Sequence, residues 1–313
     1  MNKHARLAAL ATLASLLAAC GGGGDGGNNA GTGSAPPPPA PSPSPSPSPS
    51  PAPATVKGQF IDAPVSNLGY SCGSGVDATS GVTDSNGAFD FVATATPTCT
   101  FAVGGVVLGS AAPKADGSAL TPYDLVPGST TGDPTVANIA RFLQSIDDDG
   151  NPANGIGIQA ETIAALAGKT LDFTSPSFDA LAAALLPDGK TLVSATAAVD
   201  ALNLSLFSLY AGSYSCTYSG KVNNVDTVLG TVAVTINYDT ISGTATPTYP
   251  PNGGPYPSFD LDGTLTPTGI GVSQTSTGAT FDGNFSNTAT GITGHGTWTD
   301  PELGSGTWDC HHL

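Results

Sequence analysis

The chain has 313 residues, with 24 acidic against 8 basic side chains and a formal charge of −16 at pH 7. So few lysines and arginines exclude a nucleic-acid partner, because phosphate contacts need clusters of them. Five cysteines, 41 glycines and 27 prolines, with no Cys-x-x-Cys pair, describe an exported chain rich in turns and linkers that uses its thiols for disulfides.

Lys3 and Arg6 give the N-terminus its positive charge, and Leu7 to Leu17 form an apolar run too short to span a bilayer and of the length of a signal peptide. Leu17-Ala18-Ala19-Cys20, followed directly by Gly21 to Gly24, resembles the lipobox of bacterial lipoproteins. The resemblance implies a signal peptide over 1–19 and a mature chain that starts at Cys20, carrying a diacylglyceride thioether and an N-acyl (palmitate-type) chain. Several acyl chains anchor stably where a single one does not. In that family an aspartate after the cysteine retains the protein at the inner membrane. Gly21 here therefore implies a cell-envelope protein of the outer membrane. The alternative is an ordinary cleaved signal peptide in which Cys20 is incidental.

Residues 20–55 read as a disordered tether. Gly, Asn, Ser and Thr fill 21–34, and Pro-Ser and Pro-Ala alternations fill 35–54, a flexible coil followed by a polyproline II rod. At about 3.1 Å per residue the roughly twenty-residue rod spans about 60 Å, which holds the folded part off the membrane. Without residues 1–19, the basic residues are Lys57, Lys114, Arg141, Lys169, Lys190 and Lys221. Cys72, Cys99, Cys216 and Cys310 remain for disulfides. Three connectivities are possible; only Cys72 with Cys99 and Cys216 with Cys310 keeps each bond inside one of the domains drawn below.

Residues 56–132 alternate and turn often. Asp62-Ala63-Pro64-Val65 and Thr83-Asp84-Ser85-Asn86-Gly87-Ala88-Phe89, with an Asn-Gly turn between apolar strands, resemble the carboxypeptidase-regulatory or transthyretin-like β-sandwich. That family implies a structural or adhesive module without catalysis. The stretch from Phe101 to Gly109 supplies the last strands.

From 133 to 210 the period becomes helical. Asp133 as N-cap and Pro134 at the first helical position open a helix whose Val136, Ile139, Ala140, Leu143 and Ile146 share one face. A second helix starts at Ser175-Pro176, with Phe178, Leu181, Ala182 and Leu185 inward until Pro187; a third runs from Ser194 to Leu209. The segment around Asn138 to Asn151 resembles regions that follow such sandwiches in uncharacterised proteobacterial surface lipoproteins, which implies location and architecture only.

The first helix ends in Asp147-Asp148-Asp149-Gly150-Asn151-Pro152-Ala153-Asn154. Calcium takes six to eight oxygens, and Asp147, Asp149 and Asn151 occupy the first, third and fifth positions of an EF-hand-like loop. Pro152 replaces the glycine at position six, and Ile158 stands where a bidentate glutamate belongs, with Glu161 three residues late. Two readings remain: an incomplete calcium site built from Asp147, Asp149, Asn151 and Asn154, or Asp and Asn side chains that end the helix by bonding their own backbone.

Residues 211–313 alternate with period two. Val228, Gly230, Val232, Val234, Ile236 and Tyr238 fall on one face of a strand, and similar patterns run through Phe259-x-Leu261, Phe281-x-Gly283-x-Phe285 and Ile292 to Trp298. About eight strands joined by short turns make an antiparallel up-and-down meander. Cys216 and Cys310 lie in its first and last strands, so a bond between them closes the sheet into a barrel. Gly294-His295-Gly296-Thr297-Trp298 and Gly304-Ser305-Gly306-Thr307-Trp308 share Gly-x-Gly-Thr-Trp. Pairing Gly296 with Gly306 sets Trp298 across from Gly304 and Trp308 across from Gly294, large against small. The indoles either pack the core or, with Tyr214, Tyr218, Tyr249 and Tyr256, form a ligand-stacking platform. Shared parity with Cys310 favours the core.

The expected fold is therefore mainly β with a helical middle: an N-terminal sandwich and a C-terminal barrel-like meander. No Gly-x-Ser-x-Gly, Gly-x-x-x-x-Gly-Lys or His-Glu-x-x-His motif occurs, and no enzyme is expected. Beyond the calcium reading the sequence implies no cofactor. The expected partners are the membrane, through the lipid, and a glycan or protein of the envelope or surface. A small-ligand carrier using the barrel is the alternative, and an envelope hydrolase the third reading.

Overall fold

The computed structural model describes residues 54–93, 97–114, 116–223, 225–250, 256–288, 290–301 and 304–313. The expected signal peptide, Cys20 and all but the last two residues of the tether lie outside the described residues.

Seven short strands come first: β1 (Val56–Gln59), β2 (Val65–Ser66), β3 (Gly69–Cys72), β4 (Thr79–Val82), β5 (Ala88–Phe91), β6 (Cys99–Val103) and β7 (Val106–Ala111). Four of them form an antiparallel sheet in the order β4-β3-β6-β7, and β1 pairs with β5. The two layers meet through aromatic rings: Phe89 of β5 lies 5.6 Å from Tyr70 of β3 and 5.2 Å from Phe101 of β6, centroid to centroid. Asn86-Gly87 does turn the chain, with Gly87 at φ 75°. The strands on either side of that turn join different layers instead of pairing with each other.

The middle segment contains α1 (Pro134–Ser145), β8 (Ile156–Gly157), α2 (Ala160–Ala165), α3 (Phe178–Ala183) and α4 (Ala195–Ser208). Asp133 caps α1 by accepting from the N–H groups of Thr135 and Val136 at 2.8 and 3.3 Å. The whole expected stripe of α1 is buried, and Ile139, Leu143 and Ile146 join the same apolar core as Phe60, Phe89 and Phe101. β8 pairs in parallel with β2, so the helical segment is built into the sandwich. The second helix is shorter than expected, and Leu181 is a correction: it is 45 % exposed, while Phe178 and Ala182 are buried. The Arg141 guanidinium lies over the Phe178 ring at 5.2 Å and donates to Asp179 at 2.7 Å and to Asn138 at 3.1 Å, which ties α3 to α1.

The C-terminal strands are β9 (Gly212–Val222), β10 (Val225–Asn237), β11 (Thr240–Pro247), β12 (Phe259–Leu265), β13 (Ile270–Thr275), β14 (Thr280–Thr288), β15 (Gly291–Asp300) and β16 (Gly304–His312). They close into an eight-stranded antiparallel barrel, each strand beside its sequence neighbour and β16 beside β9. Cys216 and Cys310 stand directly opposite at that seam and are bonded, as Cys72 and Cys99 are across β3 and β6. Adjacent residues of α4 serve two clusters: Leu206 belongs to a smaller one with Ile61, Val136 and Leu202, and Phe207 to the barrel core.

Val228 and Tyr238 correct the expected stripe of β10: both are exposed, at 52 % and 41 %. A bulge between Val228 and Gly230 changes the parity of the strand there, as an extra residue must when side chains alternate. At the other end Tyr238 takes φ 56° in the turn to β11.

The seam disulfide closes a span of 94 residues and the sandwich disulfide one of 27, which loop-closure entropy values at about 4.7 and about 3.5 kcal/mol. Replacing Cys216 and Cys310 by serine is therefore expected to lower the unfolding free energy by about 4.7 kcal/mol, against about 3.5 kcal/mol for the sandwich pair. Urea unfolding of the two double variants checks the order.

Asp62 is wholly buried; Oδ1 accepts from Gln144 Nε2 at 3.0 Å and Oδ2 has no partner. Burial pushes its carboxyl well above the ordinary range, only partly offset by the Gln144 bond. A raised native pKa favours the folded state below the unfolded value of about 3.9, and that advantage is lost as pH rises through the native pKa. Asp62→Asn is expected to gain stability over the wild type progressively from pH 4 to pH 8. A constant difference across urea titrations in that range would contradict a neutral native carboxyl.

Candidate functional site

Two places drew functional readings from the sequence: the tryptophans of the barrel and the acidic loop after α1. The barrel interior is built by setting aromatic rings over glycines. Trp298 pairs with Gly306 and Trp308 with Gly296, so the repeat is two residues out of the expected register. A two-residue slip keeps every side chain on its own face, and the large-against-small pairing survives with different glycines. A Cβ on Gly306 would stand 2.7 Å from Trp298 Nε1, and one on Gly283 would stand 2.3 Å from Trp308 Cζ2. Trp308 still reaches Gly294, at 3.1 Å from such a Cβ. Tyr218 covers Gly230 in the same way, at 2.4 Å.

The polar edges of these rings are satisfied inside the protein. Trp298 Nε1 donates to the Ser219 carbonyl at 2.8 Å, and Trp308 Nε1 is shared between the carbonyls of Asp282 and Thr297 at 3.2 Å each. Tyr214 donates its hydroxyl to the Tyr210 carbonyl, and burial pushes the Tyr210 hydroxyl up to about 12. Trp298 and Trp308 are 3 % and 5 % exposed. The cavity left in the barrel is about 20 Å³, lined by apolar side chains such as Val232, Leu261 and Phe285 with Ser273. That is the room of about one water molecule, whereas small-molecule sites run from about 300 Å³. The ligand platform does not assemble: Tyr214 and Tyr218 face inward with the tryptophans, but Tyr249 and Tyr256 sit on the connection after β11, outside the barrel core.

The acidic loop has a different shape from an EF-hand. Ile158, at the position of the missing glutamate, is a core residue, and Glu161 sits exposed in the first turn of α2. The loop folds back on itself through its own side chains. Asp149 accepts from the Asn151 N–H and from Asn154 Nδ2, both at 2.8 Å, and Asp148 accepts from Gln159 Nε2. Lys190 donates its ammonium to the carbonyls of Asp147 and Asp148, a cation placed where the end of α1 leaves acceptors free.

Asp147 stands apart. It is 1 % exposed, its Oδ1 accepts from the Gly157 N–H at 2.8 Å, and its Oδ2 is buried without a partner. Burial raises its carboxyl, whereas the Asn154 amide and the Asn151 N–H lower that of Asp149. Asp147, Asp149 and Asn154 share one cavity of about 250 Å³ with Pro64, Ser66 and Ser85, residues that β2 and the turn after β4 bring in. The structure therefore gathers three of the four expected loop residues and places Asn151 at the loop's exposed edge. Among the described residues no three His, Cys, Asp or Glu side chains converge as metal ligands. Sequence reasoning missed Lys190, which lies 42 residues from the carbonyl it meets, and Ser66 and Ser85, which carry no local signal.

No family model matches the chain, and neither a curated protein nor a solved structure matches it.

Because the indole of Trp298 occupies the space above Gly306, where a Cβ would also meet the Ser219 carbonyl at 1.8 Å, Gly306→Ala is expected to cost about 3 kcal/mol, the upper range for overpacking. Exposed Ser305→Ala on the same strand should change stability by less than about 0.5 kcal/mol. Urea unfolding of both variants tests whether the glycine bed sets the barrel.

Proposed function

We propose that this chain is a lipid-anchored cell-envelope protein acting as a non-catalytic binding or structural surface module. The observation that carries the reading is the filled barrel: with a cavity of about 20 Å³, a partner has to meet the outside of the folded part. The Cys20 lipobox and the Pro-rich tether supply the anchor and the reach. The outward face of four adjacent barrel strands suits such a role. Ser219, Thr307, Thr297 and Asp282 form one row across β9, β16, β15 and β14, with Thr217, Asp309, His295 and Asn284 in the next row. Hydroxyl, amide and carboxylate groups spaced at about 4.8 Å across neighbouring strands match the hydrogen-bonding chemistry of a glycan or a polar protein surface.

Two measurements test this. Palmitate labelling in the native host is expected to mark the wild type and not Cys20→Ala, which should leave the membrane fraction; an unlabelled wild type would remove the anchor. Solvent extraction of the purified full chain after unfolding is expected to release no apolar molecule at one per chain. Recovery of one would replace the surface module with a carrier.

A further inference from the structure

We infer that the loop after α1 is a divalent-cation site of the calcium class, held by Asp147 Oδ2 and Asp149 and completed by Asn154 and water. The decisive feature is Asp147. A carboxyl oxygen that is buried and meets no donor is costly to leave unpaired, and Asp147 Oδ2 is such an atom in a residue 1 % exposed. Its other oxygen is fixed by the Gly157 N–H, which aims the group into the cavity it shares with Asp149 and Asn154.

The second feature is the neighbour. Asp149 lines the same cavity, and its negative charge acts on the Asp147 carboxyl. Carboxylates gathered on one cavity are the oxygen ligands that a hard cation such as calcium takes. The Lys190 ammonium donates to the main-chain carbonyls of Asp147 and Asp148, and its charge lowers the Asp149 carboxyl.

The oxygens favour a hard cation. Asn154 gives its Nδ2 to Asp149 at 2.8 Å, which orders the amide and leaves Oδ1 available as a neutral ligand. The cavity of about 250 Å³, reached also by Ser66 and Ser85, has room for the waters that bring the count to six or more. With two carboxylates and no bidentate glutamate, affinity belongs to the weak extracellular range, Kd of about 10⁻⁴ to 10⁻³ M. Occupancy in the cell therefore rests on the envelope location proposed above, but binding in solution does not.

Thermal unfolding of the chelator-treated full chain in detergent, at pH 7 and constant ionic strength, tests the site with calcium chloride alone up to about 10 mM. The expected result is a saturating rise in Tm. Asp149→Asn, an exposed and near-isosteric change, should keep the calcium-free Tm within a few degrees and require at least tenfold more calcium for the same rise. Asp226→Asn, far along the chain on β10, should behave as wild type. No rise in the wild type, or an equal rise in Asp149→Asn, overturns the proposal. A calcium-free Tm that climbs below pH 5 together with indifference to calcium would assign the pair to a shared proton instead.

Discussion

The barrel depends on one steric condition: beside each of Trp298, Trp308, Tyr218 and Phe285, one flanking strand presents a glycine. Eight strands enclose a space just wide enough to be filled by side chains. Here the filling is uneven, with Trp298, Trp308, Tyr218 and Phe285 on a few strands and Gly220, Gly230, Gly283, Gly294, Gly296 and Gly306 opposite or diagonal to them. Gly283 and Gly296 pair directly, and the Trp308 ring lies over both. The indole N–H groups then bond carbonyls of neighbouring strands, so each ring is held at its edge as well as its face. Seam closure by β9 and β16 brings Gly220 under Trp298, which makes closing the barrel and packing its core the same event.

The sandwich uses the condition as well, where the Phe89 ring covers Gly58 and the Tyr70 ring covers Gly81 of the paired strands, and otherwise relies on a continuous aliphatic and aromatic core shared with α1. That sharing changes the meaning of the helical segment. With Ile139, Leu143 and Ile146 in one core with Phe60 and Phe101, α1 completes the sandwich, and the parallel β2–β8 pair ties its exit loop to the sheet. The acidic loop is therefore held by backbone pairing at Gly157 and by the Ile156 and Ile158 side chains, which are each 1 % exposed. Its geometry comes from the core on either side, with no contribution needed from a metal-binding scaffold of the EF type.

Much of this was legible in the chain, for reasons that differ by element. The cap of α1, the Ser194 cap of α4 and the period-two strands are local signals, and each element appears within a residue or two. The closure of the barrel was legible because a disulfide between first and last strands admits few other shapes. Register was not: the two-residue offset between the Gly-x-Gly-Thr-Trp copies depends on turn length, which the alternation cannot report because it repeats every two residues. Val228 and Tyr238 were misplaced for the complementary reason, since a bulge and a positive φ break the alternation at points the pattern itself does not mark. α2 carries only six residues, too few for a helical period to stand out. In the acidic loop the carboxylates were evident, but the roles of Lys190 and Ser66 follow from contacts 42 and 90 residues apart in sequence.

The same steric condition limits what the barrel can do. An interior whose Trp298, Trp308, Tyr218 and Phe285 rings are seated on glycine cannot open for a ligand without parting indole N–H groups from their carbonyl partners and emptying the space above several glycines at once. Each such step costs buried contact and a hydrogen bond together, and the seam disulfide resists the spreading of β9 from β16. Chemistry that varies without disturbing the fold is confined to the outward positions, where Ser, Thr, Asp, Asn and His alternate with the buried set along the same strands. A folded part of this kind offers a rigid outer surface. Specificity then resides in which polar groups the strand register brings side by side, and that register is set from within by the glycines.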